Sequence, residues 1–205
     1  MGKIKDGFDQ STVSHMKSCL AGVLGLAVDD EVIAKNPAHG LGKIFRNKPM
    51  NEDVNPLSIE ELRHLLSVFE NDFPEHYPMT LTLARTGMRF GEALELKRGD
   101  INFENRSIKV QRTYSRGKIG LPKNGRSRIV DMSLQLTAVL REHLLQQKHD
   151  ALKYGWGFVP EWVFGNKKGK PLDINNWRKR VFYAALEKAG MPKMNVHDLR
   201  HTYAS

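Results

Sequence analysis

The 205-residue sequence predicts an α+β fold that is mainly helical. Three observations carry that prediction. Apolar residues recur at three- and four-residue intervals through most of the chain, the repeat of an amphipathic helix. Around residues 108–130 the repeat switches to two, the signature of strands. Several helical stretches open on a Ser or Asp suited to capping a first turn. With 40% hydrophobic residues there is enough apolar material for a core, and 27% charged residues argue against wholesale disorder.

The elements follow in order. Val13, Met16, Leu20, Val23 and Ala27 form the stripe of a first helix, for which Ser11 or Thr12 is the expected cap. One amphipathic helix cannot bury its own face, so residues 1–48 read as part of a helical domain whose beginning is absent. Residues 46–56 hold two prolines and almost no apolar side chains, and a linker is expected over 49–57. The second domain then runs over 58–205. Ser58 lies three residues ahead of Glu61, a capping box, and Ile59, Leu62, Leu65, Leu66 and Phe69 turn inward behind it. Residues 78–86 make a second helix stopped by Gly87, and 90–96 a third.

Ile108, Val110, Arg112 and Tyr114 alternate with polar neighbours, and Ile129 and Val130 lie in another extended run. Gly117, Gly120, Pro122 and Gly125 fill the space between, so a small sheet with a turn-rich hairpin is expected. Ser133 opens a helix carrying Leu136, Val139, Leu140 and Leu144. Asp173 opens another, with Trp177, Val181, Ala184, Ala185 and Leu186, closed by Gly190. Residues 195–205 start as one more helix.

Charge narrows the function. The net charge is +9, and residues 1–55 contribute none of it, with seven basic and seven acidic side chains. Residues 106–128 hold eight basic residues and no acidic one, and they coincide with the hairpin. Such a stripe is either a solvated basic surface or a surface for a polyanion, chiefly nucleic acid. The longest apolar run, 20–28, is far short of the roughly 20 residues of a membrane span. No secretory signal opens the chain, and the lone Cys19 rules out an internal disulfide. A cytosolic protein without membrane contact is expected.

Three stretches could carry chemistry. Arg89 follows a glycine stop at the start of a helix, where free N–H groups favour an anion; it could equally pair with Glu92 on the helix surface. Lys123, in the hairpin, could reach into a groove and protonate a leaving oxygen, or be an ordinary turn lysine. His197 and Arg200 lie three apart, so one could handle a proton while the other grips a phosphoryl oxygen. His197 and His201 also imitate a zinc-binding pair. An Asp in place of Glu, a neighbouring Arg and no downstream third ligand argue against a metal. A purely structural histidine pair is the remaining reading.

Taken together, ARTGMRFGEALELKRGDI at 84–101, LPKNGRSRIVDMS at 121–133 and NVHDLRHTYAS at 195–205 resemble the tyrosine recombinase (phage integrase) family. The Ala34-Lys35-Asn36-Pro37 turn is similar to the end of that family's helical core-binding domain. The resemblance implies a catalytic domain with a small three-stranded antiparallel sheet, preceded by part of a core-binding domain. It also implies that Arg89 and Arg200 clamp the scissile phosphate, that Lys123 protonates the leaving 5′ oxygen, and that His197 assists proton transfer. Glu92 and His201 are then supporting residues. Arg112, Arg116, Lys118, Arg126 and Arg128 are the expected DNA contacts. No metal or other cofactor is implied, and the partner is double-stranded DNA bearing a recombination site.

The intact protein would be a tetramer on DNA and this chain a monomer, working at the bacterial nucleoid. The chain departs from the family pattern in one respect: neither the next catalytic His or Trp nor the nucleophilic Tyr follows Arg200. Tyr203, three residues on, matches an aromatic core position instead. The expectation is therefore a chain that keeps most of the phosphate pocket and does not itself cleave DNA. The alternative is a non-catalytic DNA-binding protein of the same fold.

Overall fold

The computed structural model describes residues 8, 10–41, 56–115, 117–122, 125–166 and 168–204. The chain divides into two compact units, Met1–Asp53 and Val54–Ser205.

In the first unit, α1 spans Gln10–Asp29. Helical backbone already begins at Gln10, so Ser11 and Thr12 lie inside the helix and do not cap it. Val13 is buried, whereas Met16, Leu20 and Val23 are exposed. Asn36 folds the following turn back, donating to the carbonyl of Ala21 at 2.9 Å and accepting from the Ala38 amide at 2.9 Å.

The second unit opens on α2 (Ile59–Asp72), where the Ser58–Glu61 capping box is fully formed. The central helix α3 (Tyr77–Thr86) is buried at every residue except Arg85. A helix buried all round must satisfy its own polar groups. The hydroxyls of Thr80, Thr82 and Thr86 do so by bonding the carbonyls four residues back, at 3.1, 2.7 and 2.6 Å. Around α3 the core gathers Leu65 and Phe69 from α2, Leu136 and Leu140 from α5 (Leu134–Lys153), and Trp177 and Phe182 from the later helices.

α4 is short, Phe90–Leu94. The expected continuation to residue 96 does not form. There the chain turns to pair with a distant loop: the Leu96 carbonyl accepts from Val163 at 2.8 Å, and Lys97 bridges Trp162. Gly91 lets α4 sit close on the hairpin, because a Cβ there would overlap the Tyr114 carbonyl oxygen.

The sheet is three-stranded and antiparallel, in the order β1 (Ile101–Asn102), β2 (Ser107–Val110), β5 (Arg128–Asp131). Ile108 faces Val130, and Val110 faces Arg128. A separate two-stranded hairpin, β3 (Thr113–Ser115) with β4 (Lys118–Gly120), stands beside it. The run expected over 108–114 is thus broken in two. Gln111 and Arg112 leave the ladder to bind the Asp100 carboxylate, Gln111 at 2.7 Å. After α5, α6 (Ile174–Trp177) is capped by Asp173, whose Oδ1 accepts from the Asn176 amide at 2.6 Å. A π-helical stretch, Arg178–Phe182, then leads into α7 (Tyr183–Lys188). The last described element is α8 (Asp198–Ala204), packed on α3. No described helix is long and apolar enough to cross a membrane.

Candidate active site

Gly87 ends α3 in the left-handed region, at φ 58°, and delivers Arg89 to the N-cap of α4. On the other side of that turn, α8 projects Arg200, whose Nη1 donates to the Gly87 carbonyl. The turn between α3 and α4 therefore carries one arginine and holds the second. A cleft of about 420 Å³ opens here, bordered by Thr86, Gly87, Arg128, Asp131, Arg200 and Tyr203.

Glu92 organises the charges. It is 1% exposed, and its carboxylate accepts from four N–H donors. The Arg89 amide binds at 2.8 Å and Arg89 Nη1 at 3.2 Å; Arg128 Nη1 and Nη2 bind side by side at 2.9 and 2.7 Å. Desolvation alone would raise its pKa, but the bonds from Arg128 and Arg89 outweigh it and hold the carboxyl below its ordinary value. The Arg89–Glu92 pair is therefore buried on its acidic side rather than a helix-surface pair. Glu92 in turn raises the pKa of Arg128.

Arg200 is held below its usual pKa by partial burial and by the nearby charges of Arg89 and Arg128, with Glu92 opposing. His197, in the turn before α8, also lies low. Desolvation comes first, followed by His201, Arg200 and Arg89. Asp198 opposes them, and the net lowering favours the neutral ring, which has one nitrogen to donate and one to accept. His197 and His201 meet edge to face, with ring centroids 5.0 Å apart.

The expected DNA contacts are placed variously. Lys118 on β4 and Arg126 are exposed. Arg112 is committed to an ion pair with Asp100 inside the fold. Arg128 is half-buried on Glu92. Lys123 and Arg116 lie outside the described residues. Tyr203 corrects an expectation: it is 52% exposed, not a core residue, because it shares the side of α8 that carries Arg200 and lays its ring on Gly87. The Glu92–Arg128 pair was missed from sequence.

Residues 55–205 match the family model described as the phage integrase family. The chain belongs to that family. Among curated relatives, it is 32% identical to an integrase of Mycobacterium phage D29, covering 91% of this chain and 48% of the relative. It is 28% identical to a tyrosine recombinase XerC-like protein of Caldanaerobacter subterraneus subsp. tengcongensis, over 98% of this chain and 56% of the relative. The chain thus spans about half the length of the curated relatives it matches. Among solved structures, the fold matches the Tn1549 transposon integrase in complex with transposon right end DNA, at a TM-score of 0.78 and 22% identity. That match covers 97% of this chain and 67% of the other. A lambda integrase dimer bound to a COC′ core site matches with a TM-score of 0.68 at 17% identity, over 99% of this chain and 68% of the other. These two likenesses establish the tyrosine recombinase fold.

Proposed function

We propose that the protein is a site-specific DNA recombinase, an integrase of a phage or other mobile element. It cuts and rejoins double-stranded DNA through a 3′-phosphotyrosyl intermediate. The observation that carries this reading is the convergence of the Arg89 turn, Arg200 and Arg128 on one cleft, with Glu92 as their shared counter-charge.

In the proposed reaction a tyrosine Oη attacks the scissile phosphorus. A P–O bond to tyrosine forms and the bond to the 5′ oxygen breaks. Lys123 gives its proton to that oxygen, and His197 assists proton transfer at the tyrosine. Arg89 and Arg200 hold the nonbridging oxygens. The pentacoordinate transition state carries more negative charge than the ground state, so fixed guanidiniums favour it preferentially. A free DNA hydroxyl then attacks the phosphotyrosine, which returns the tyrosine and conserves the bond energy without a nucleotide cofactor. His201 supports His197, and Lys118, Arg116 and Arg126 track the backbone phosphates.

The nucleophile is not among the tyrosines of these 205 residues. Tyr77 is buried in the core, where it accepts from Gln135. Tyr114 lies in β3, Tyr154 stacks on Trp156, and Tyr183 faces Lys193. Tyr203 borders the cleft, but its ring is packed on Gly87. On this reading the 205-residue chain binds DNA without cleaving it, and is monomeric in solution. The whole protein works as a tetramer on two duplexes, at the nucleoid of a bacterial host.

The test uses the chain extended through its natural carboxy terminus and a nicked duplex carrying its attachment site. The expected result is a denaturation-resistant protein–DNA adduct that survives Tyr203→Phe and disappears with Arg200→Ala. Tight, salt-sensitive binding with no adduct would support a non-catalytic binding protein. An adduct formed by the 205-residue chain and lost with Tyr203→Phe would make Tyr203 the nucleophile.

A further inference from the structure

Arg128 sits on β5 opposite Val110, far in sequence from both Arg89 and Arg200. Along β5 the burial alternates, with Arg128 and Val130 half-buried and Ile129 and Asp131 exposed. Arg128 thus faces inward while Asp131, which also borders the cleft, belongs to the strand's other face. The Arg128 side chain nevertheless keeps 35% of its surface exposed, although its partner Glu92 keeps none. It stands between a saturated buried carboxylate on one side and the cleft on the other.

Two facts distinguish this from a structural ion pair. Glu92 takes only two of the five N–H groups of a guanidinium, through Nη1 and Nη2. The local charge is also unbalanced. Arg89, Arg128 and Arg200 are three cations, against the buried Glu92 and the exposed Asp131 at the cleft's border, which leaves a net +1. A fold gains nothing from holding like charges together unless an anion joins them.

We infer that Arg128 is a third phosphate ligand of this cleft, binding the same DNA phosphate as Arg200, with Glu92 as the positioning residue that presents it. The inference rests on the reading of the cleft as a DNA phosphate site. It moves Arg128 from a peripheral backbone contact to the centre of the site. Glu92 fixes the orientation of the guanidinium by a two-point bond, which a lysine ammonium could not reproduce.

The experiment measures binding of the 205-residue chain to a short duplex over a range of salt concentrations, with Arg128→Gln, Arg200→Gln and the double variant. Thermal unfolding is followed in parallel. Each single variant is expected to weaken binding roughly tenfold or more, as for loss of a charged hydrogen bond. Each should also reduce the slope of log K against log salt by up to about 0.9, the value for one phosphate. The double variant should lose much less than the product of the two, because both side chains serve one phosphate.

If Arg200→Gln weakens binding and Arg128→Gln only lowers the unfolding temperature, Arg128 is structural and the inference is wrong. Independent, multiplicative losses would place Arg128 on a different phosphate and also overturn it. If neither variant changes affinity or slope, the cleft is not a phosphate site, and the wider reading falls as well. Should Arg128→Gln not fold, Arg128→Lys keeps the charge but not the two-point bond, and its affinity with and without Arg200→Gln is read in the same way.

Discussion

Replacing Gly87 with Ala tests how the site is held. The residue has φ 58°, where an L side chain costs about 1–2 kcal/mol. The new Cβ would overlap Tyr203 Cδ1 and lie 3.0 Å from Cε1 and 3.1 Å from Cγ. Overpacking of that kind costs typically about 1–3 kcal/mol. The two effects together amount to about 2–5 kcal/mol. For a unit of this size, 1 kcal/mol corresponds to about 2–4 °C, so the unfolding temperature should fall by at least about 4 °C.

The two contributions separate in a double-mutant cycle with Tyr203→Ala, read by urea unfolding. Without the ring, only the backbone cost of Gly87→Ala should remain, and the coupling between the sites should be about 1–3 kcal/mol. Because Arg200 donates to the Gly87 carbonyl, the displacement should also weaken DNA binding in the single variant and restore it in part in the double. A Gly87→Ala chain as stable as the parent would refute the reasoning. A cost unchanged by Tyr203→Ala would show that the ring does not press on the turn.

Glu92→Gln removes a buried carboxylate that pairs two arginines, and should cost about 3 kcal/mol in urea unfolding at pH 7. Its folded pKa lies below the ordinary value of about 4.3. The parent should therefore hold this stability above that pH and lose it as pH falls through the folded value, a loss that Glu92→Gln lacks. His143 donates Nε2–H to the Val163 carbonyl at 2.8 Å, and its pKa is lowered, first by burial. The unfolded chain takes up this proton first, so stability should fall as pH drops below about 6.5. His143→Gln should flatten part of that fall in pH-dependent unfolding, the rest belonging to His197. Trp177 is 3% exposed and contacts the rings of Phe69, Phe90 and Phe182, so Trp177→Ala should cost about 3–5 kcal/mol by denaturant titration.

Fold class is legible in this sequence because local patterns agree with the packing. The Ser58–Glu61 box, the Ser133 and Asp173 caps and the Gly87 stop each satisfy backbone groups within a few residues, so they need no knowledge of the rest of the chain. Where the structure departs from the pattern, a distant partner is responsible. Asp100 splits the run at Gln111 and Arg112, and Val163 ends α4 early. Tyr203 is expected in the core only through the family resemblance, and it is the approach of α8 to the α3–α4 turn that places its ring on Gly87.

The same logic explains why the arginines were visible one by one and their arrangement was not. Arg89 and Glu92 lie three apart, so their contact is predictable from helix geometry. Arg128 reaches the same carboxylate only through the register of β5 on β2, which sets it opposite Val110. Slipping that strand by one residue would turn Arg128 to the exposed face and bring Ser127 or Ile129 toward Glu92, leaving half of the carboxylate's bonds unmade. Register in this small sheet is therefore tied to the charge of the cleft. The apolar pairing of Ile108 with Val130 holds the register from below, and the two-point bond of Arg128 to Glu92 holds it from the cleft side. Loss of either should loosen both the sheet and the site.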